Sequence, residues 1–114
     1  MMIYGVSQSS GVERQLHFEP VREGVILLIS DHKGDVKRGR ILVNPDSLLG
    51  AVMQPTPGGV TIEGKSPSLG SKRMIDLEIR RNEVLIKIRA ESEKDSDVAV
   101  GLDDFQDALE KAIG

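Results

Sequence analysis

The chain has no cysteine and no tryptophan among its 114 residues, and only three aromatics: Tyr4, Phe18 and Phe105. Without cysteine there is no disulfide, no thiolate metal ligand and no thiol nucleophile, a composition that fits a reducing interior. An excess of one charge is missing too: 15 Lys and Arg stand against 18 Asp and Glu, for a net charge of −3. No overall positive field therefore draws the chain to nucleic acid or to an anionic membrane. No apolar run approaches the roughly 20 residues of a membrane-spanning helix. The N-terminus lacks the charged head and long apolar core of a secretion signal. These absences predict a soluble cytoplasmic protein with no membrane partner. A chain of 114 residues fits one domain, residues 1–114, with a real core.

What the chain does contain is an internal duplication. At an offset of 59, Ile3, Gly5, Ser7, Ser9, Gly11, Arg14, Glu19, Arg22, Val25 and Ile29 meet the same residue types in the second half, from Ile62 to Ile88. Near the end of each half the offset becomes 57, where Val43, Asp46 and Ala51 match Val100, Asp103 and Ala108. A period this long and only two copies exclude a solenoid. The spacing predicts repeats over 1–54 and 60–114 with a linker at 55–59.

Each copy reads strand, strand, strand, strand, helix. Short strands at 3–6 and 60–64 precede Gly/Ser loops. Alternation at Leu16 and Phe18, and at Ile75, Leu77 and Ile79, marks half-buried strands over 14–21 and 74–80. Tight turns lead to strands at 25–30 and 84–89, with Val25, Leu27, Ile29, Val84, Ile86 and Ile88 inward. Polar loops at 31–39 and 91–97 precede short strands at 40–43 and 98–100. Helices start at Pro45, behind the N-cap Asn44, and near Leu102, with Asp103 and Asp104 in the first turn. The expected fold is α+β: two tandem ββββα repeats related by a pseudo-twofold. They form two four-stranded antiparallel sheets, with the two helices packed together.

That tandem unit resembles the purine-rich-element-binding (PUR) proteins, the plant Whirly proteins and the positive-cofactor transcriptional coactivators. The resemblance rests on Arg14-Gln-Leu-His-Phe-Glu19, Gly24-Val-Ile-Leu-Leu-Ile29, Arg40-Ile-Leu-Val43 and Val98-Ala-Val-Gly-Leu-Asp-Asp-Phe105. It implies a single-stranded DNA- or RNA-binding protein acting in transcription, using sheet faces and loops with basic and aromatic side chains. At the arginine and aromatic of the PUR third strand, this chain has Val25 and Ile26, or Val84 and Leu85; the lysine survives as Lys87.

The basic residues for such a surface are Arg14, Arg40, Arg73, Arg80, Lys87 and Arg89, expected to face outward with His17. Lys33, Lys37 and Arg38 form a basic loop near His32 that leads into Arg40, and Lys65 lies in the second Gly/Ser loop with Lys72 just after it. Arginine planes can stack on unpaired bases, and cations can track phosphates. The competing reading is a solvated face of Arg–Glu and Lys–Asp pairs across strands. The pattern G-x-S-x-S-x-G at 5–11 and 64–70 offers hydroxyls and amides to phosphate oxygens, or is turn punctuation copied with the unit. It is not the G-x-S-x-G nucleophile elbow.

His17 and His32 lack metal-ligand spacing, and no nucleophile, base and orienting group assemble. The expectation is a non-enzyme without cofactor or metal. The alternative is a protein-interaction or oligomer-forming module of the same fold, favoured by outward Ile26, Leu28, Leu42 and Leu85.

Overall fold

The computed structural model describes residues 1–31, 37–90 and 93–114, the last without the side chain of Glu93. Eight strands follow the order β1 (Met2–Val6), β2 (Glu13–Val21), β3 (Gly24–Asp31), β4 (Lys37–Val43), β5 (Val60–Lys65), β6 (Lys72–Arg80), β7 (Glu83–Ala90) and β8 (Glu93–Gly101). Helix α1 (Pro45–Met53) follows β4, and α2 (Leu102–Ile113) follows β8. Asn44 caps α1, its side-chain oxygen accepting from the Asp46 amide at 2.9 Å.

The expected pair of four-stranded sheets is overturned. All eight strands close into one antiparallel barrel in sequence order. Two separate sheets would leave four edges of unpaired amides and carbonyls, which closure removes. The joints are short: Gly5 and Val6 pair with Val100 and Ala99, and Leu42 pairs with Lys65. Glycine makes each joint possible. A Cβ on Gly5 would collide with the Ala99 carbonyl, and one on Gly64 with the Leu42 carbonyl. Gly5 and Gly64 are counterparts in the duplication, so both joints use one solution.

Period-two alternation decides what fills the interior. Leu16, Leu27, Ile29, Ile41, Ile75, Val84 and Ile86 are all at most 1 % exposed. Leu48 and Val52 of α1 and Phe105, Ala108 and Leu109 of α2 join the same core. Phe18 meets Phe105 edge to face, with ring centroids 5.4 Å apart and planes at 66°. Because β4 and β8 run in the same direction, both helices leave from one end of the barrel and touch each other there. The Gly/Ser loops lie at the other end.

Three strands run into the segments expected to be loops. Within the segment read as a loop at 91–97, β8 already runs from Glu93, paired to β7 as far as Glu93 with Ala90. Within 31–39, β3 extends through Asp31 and β4 starts at Lys37. Polar residues on the outer side of a barrel strand look like loop residues in sequence, because only the inner positions need to be apolar. His32 and Lys33 lie outside the described residues.

Candidate functional site

Strand register sorts the outward side chains into two faces that are counterparts in the duplication. On the first half, cross-strand pairing sets Met2, His17, Leu28 and Arg40 in one row. Tyr4, Gln15, Ser30 and Lys37 form the row beside it, and Glu19, Ile26, Leu42 and Lys65 the row on the other side. Cations collect along β4 and the end of β5; apolar and aromatic groups lie toward β1. Tyr4 is 59 % exposed. Ile26, Leu28, Leu42 and Arg40 are half-buried.

His17 is held by Ser30, whose hydroxyl is 2.9 Å from Nε2. Burial pushes the imidazole below its ordinary pKa, and the positive charges of the N-terminal ammonium and Lys37 push it the same way. No ion pair reaches Lys37, Arg40 or Lys65 among the described residues.

The second face carries the opposite chemistry. Thr61, Asp76, Lys87 and Asp97 form its central row, with Glu78 and Asp95 beside it. Here the cations are spoken for. Arg89 Nε lies 2.8 Å from Asp76, and Lys87 Nζ lies 3.5 Å from Asp95. Burial opposes ionisation of Asp76, but hydrogen bonds from Thr61 and Arg89 and the positive charges of Arg89 and Lys87 outweigh it and hold the carboxyl below its usual range. A groove of about 780 Å³ runs over this face, with Asp76, Lys87, Arg89, Asp95 and Asp97 in its wall.

The other basic residues expected at a binding surface fall outside the first face. Arg80 pairs with Glu78 at 2.9 Å and Lys72 with Glu63 at 3.1 Å. Arg38 makes a two-point contact with Asp31, Nε to Oδ1 at 2.8 Å and Nη2 to Oδ2 at 3.0 Å; these bonds hold Asp31 below the ordinary carboxylate range. Arg14 and Arg73 do not face outward. They share the inward register of Leu16 and Ile75, and their guanidinium groups close the loop end of the barrel. Arg14 Nη1 donates to the Asp97 carbonyl at 2.8 Å, and Arg73 Nη1 to the Arg40 carbonyl at 2.6 Å. Of the eleven residues predicted from sequence, His17, Lys37, Arg40 and Lys65 share the first face, where no ion pair reaches the three cations among the described residues.

Sequence reasoning missed Tyr4 and Asp97. Tyr4 signals itself only by its place on β1, whose neighbouring strands must be known. Asp97 is the anchor of the first Gly/Ser loop. Its carboxylate accepts from Ser7 Oγ at 2.9 Å, Gln8 N at 2.7 Å, Ser9 Oγ at 2.7 Å and Ser9 N at 3.2 Å. Burial alone would raise its pKa; the bonds from Ser9, Ser7 and Gln8 reverse that and hold it down.

No cluster of three or more His, Asp or Glu side chains is placed to hold a metal among the described residues. No helix among them is long and apolar enough to cross a membrane. No protein-family model, curated protein or solved structure matches this chain.

Proposed function

We propose that this chain is a non-catalytic binding module for single-stranded nucleic acid, and that the polymer lies on the first-half face. The observation that carries this is the cation column of Lys37, Arg40 and Lys65, which no ion pair reaches among the described residues, beside half-buried Leu28 and Ile26 and exposed Tyr4. Phosphates would follow the cations, and bases would lie over the apolar and aromatic groups. A patch of a few cations supports modest, salt-sensitive affinity, as expected for a chain of net charge −3. The resemblance of the repeat unit to PUR and Whirly proteins supports the same ligand class, although it does not extend to the two-sheet architecture. A role in transcription follows from that resemblance alone.

The test is a titration of a labelled single-stranded oligonucleotide at low salt, with wild-type protein and with Lys37→Glu/Arg40→Glu. Saturable binding that the double variant loses supports the reading. No binding at high micromolar protein, or binding that the double variant keeps, removes it.

A second reading is self-association without nucleic acid. One observation favours it: the cationic first face and the acidic second face are complementary in sign. Sedimentation across a salt series separates the two, since a monomer at low salt and high concentration counts against an assembly module.

A further inference from the structure

Both Gly/Ser loops fold alike. Ser10 N donates to Ser7 Oγ at 3.2 Å, and Leu69 N donates to Ser66 Oγ at 3.2 Å. Gly11 N bonds the Ser7 carbonyl, as Gly70 N bonds that of Ser66. Ser7 and Ser9 hydroxyls lie 3.1 Å apart, those of Ser66 and Ser68 3.4 Å. Each loop also stands beside an inward arginine that grips the fourth strand of the other half, Arg14 on the Asp97 carbonyl and Arg73 on that of Arg40.

The two loops differ in what they hold. The first closes on the Asp97 carboxylate with two hydroxyls and two amides. At the register position of Asp97, the first half has Arg40 on β4, and no carboxylate reaches Ser66 or Ser68 among the described residues. A constellation that coordinates a carboxylate in one copy is thus repeated without that carboxylate, and the residue at the equivalent strand position is an arginine.

We infer that the loop Ser66-Pro67-Ser68-Leu69-Gly70, with Arg40, is a binding site for a phosphate group. Ser66 Oγ, Ser68 Oγ and the Ser68 amide take the roles of Ser7 Oγ, Ser9 Oγ and the Ser9 amide, and Arg40 balances the charge. Pro67 replaces Gln8 and brings no N–H, so this loop has one donor fewer, and the arginine makes up the attraction. Serine hydroxyls and successive loop amides suit phosphate oxygens for the same reason they suit a carboxylate. The site shares Arg40 with the proposed polymer face but does not rest on that reading: it requires only an oxyanion, free or esterified, and the Ser68 amide and Ser68→Ala report on it alone.

Amide-resolved NMR during titration with inorganic phosphate, at constant ionic strength set with chloride, tests it. Saturable shifts at Ser68, Leu69 and Gly70 are expected, with Ser9 and Ser10 unmoved because Asp97 fills their loop. Ser68→Ala should weaken binding several-fold. Arg40→Asp should supply the missing carboxylate, abolish phosphate binding and raise the melting temperature. Asp97→Ala should open the first loop, so that Ser9 and Ser10 also respond. Shifts scattered over all basic residues, no saturation at tens of millimolar phosphate, or an Arg40→Asp protein that still binds would each overturn the assignment. A phosphate-terminated and an unphosphorylated oligonucleotide, compared at the same amides, then tell a free or terminal phosphate from a backbone one.

Discussion

Ser96 stands against Gly39 across the loop end of the barrel: a Cβ on Gly39 would lie 3.0 Å from the Ser96 hydroxyl, which donates to the Arg38 carbonyl. The two are counterparts at the offset of 57, and equivalent positions meet where a pseudo-twofold axis passes. One of them has to be small. Gly39→Ser alone should cost about 1–2 kcal/mol by overpacking. Gly39→Ser with Ser96→Gly should recover most of that loss, which a denaturant double-mutant cycle measures.

Asp97 ties the first Gly/Ser loop to β8, so Asp97→Asn should destabilise the protein by about 2 kcal/mol at neutral pH. The sign of the pH dependence follows from the lowered folded pKa. Stabilisation is complete above the unfolded value of about 3.9 and is lost as pH falls through the folded value. Wild type and variant should therefore converge in thermal melts taken in progressively stronger acid.

Phe105 carries the contact between α2 and the barrel through Phe18. Phe105→Ala should cost about 3–5 kcal/mol, read as a lower denaturant midpoint. Ile113→Ala, at a 43 % exposed position of the same helix, should change stability by under about 1 kcal/mol.

If the first face binds the polymer, Arg40→Glu and Lys37→Glu should each weaken binding at low salt and lower the salt slope by about 0.7 per lost phosphate contact. Lys87→Glu and Arg89→Glu should leave the affinity within about two-fold, since their charges are already engaged by Asp95 and Asp76. Parallel isotherms at several salt concentrations check both halves of this expectation; a larger effect from Lys87 would place the contact on the other face.

His17 has a depressed folded pKa, so the neutral ring contributes stability above about pH 6.5 that is lost as pH falls through the folded value. Phosphates on the same face would favour the imidazolium. Oligonucleotide affinity should then rise several-fold from about pH 7.5 to 5.5, and His17→Gln should flatten that profile.

Much of the chain's local structure was legible in residue order. Alternation at Leu16, Phe18, Ile75 and Leu77 marks half-buried strands whatever they pair with, because one face must leave water. Asn44-Pro45 marks the start of α1 by a cap that acts over three residues. The duplication is a property of the string alone. None of these local signals records which strand edges meet. Closure of β1 on β8 and of β4 on β5 depends on Gly5 and Gly64 admitting a carbonyl from a strand distant in sequence, and that turned two expected sheets into one barrel. The candidate site was half visible for the same reason. Sequence supplies the sign of each charge, but pairing is a matter of distance: Lys87 and Arg89 look as available as Lys37 and Arg40 until register sets Asp95 and Asp76 beside them. Coulomb attraction reads positions in space, and only the closed barrel decided those.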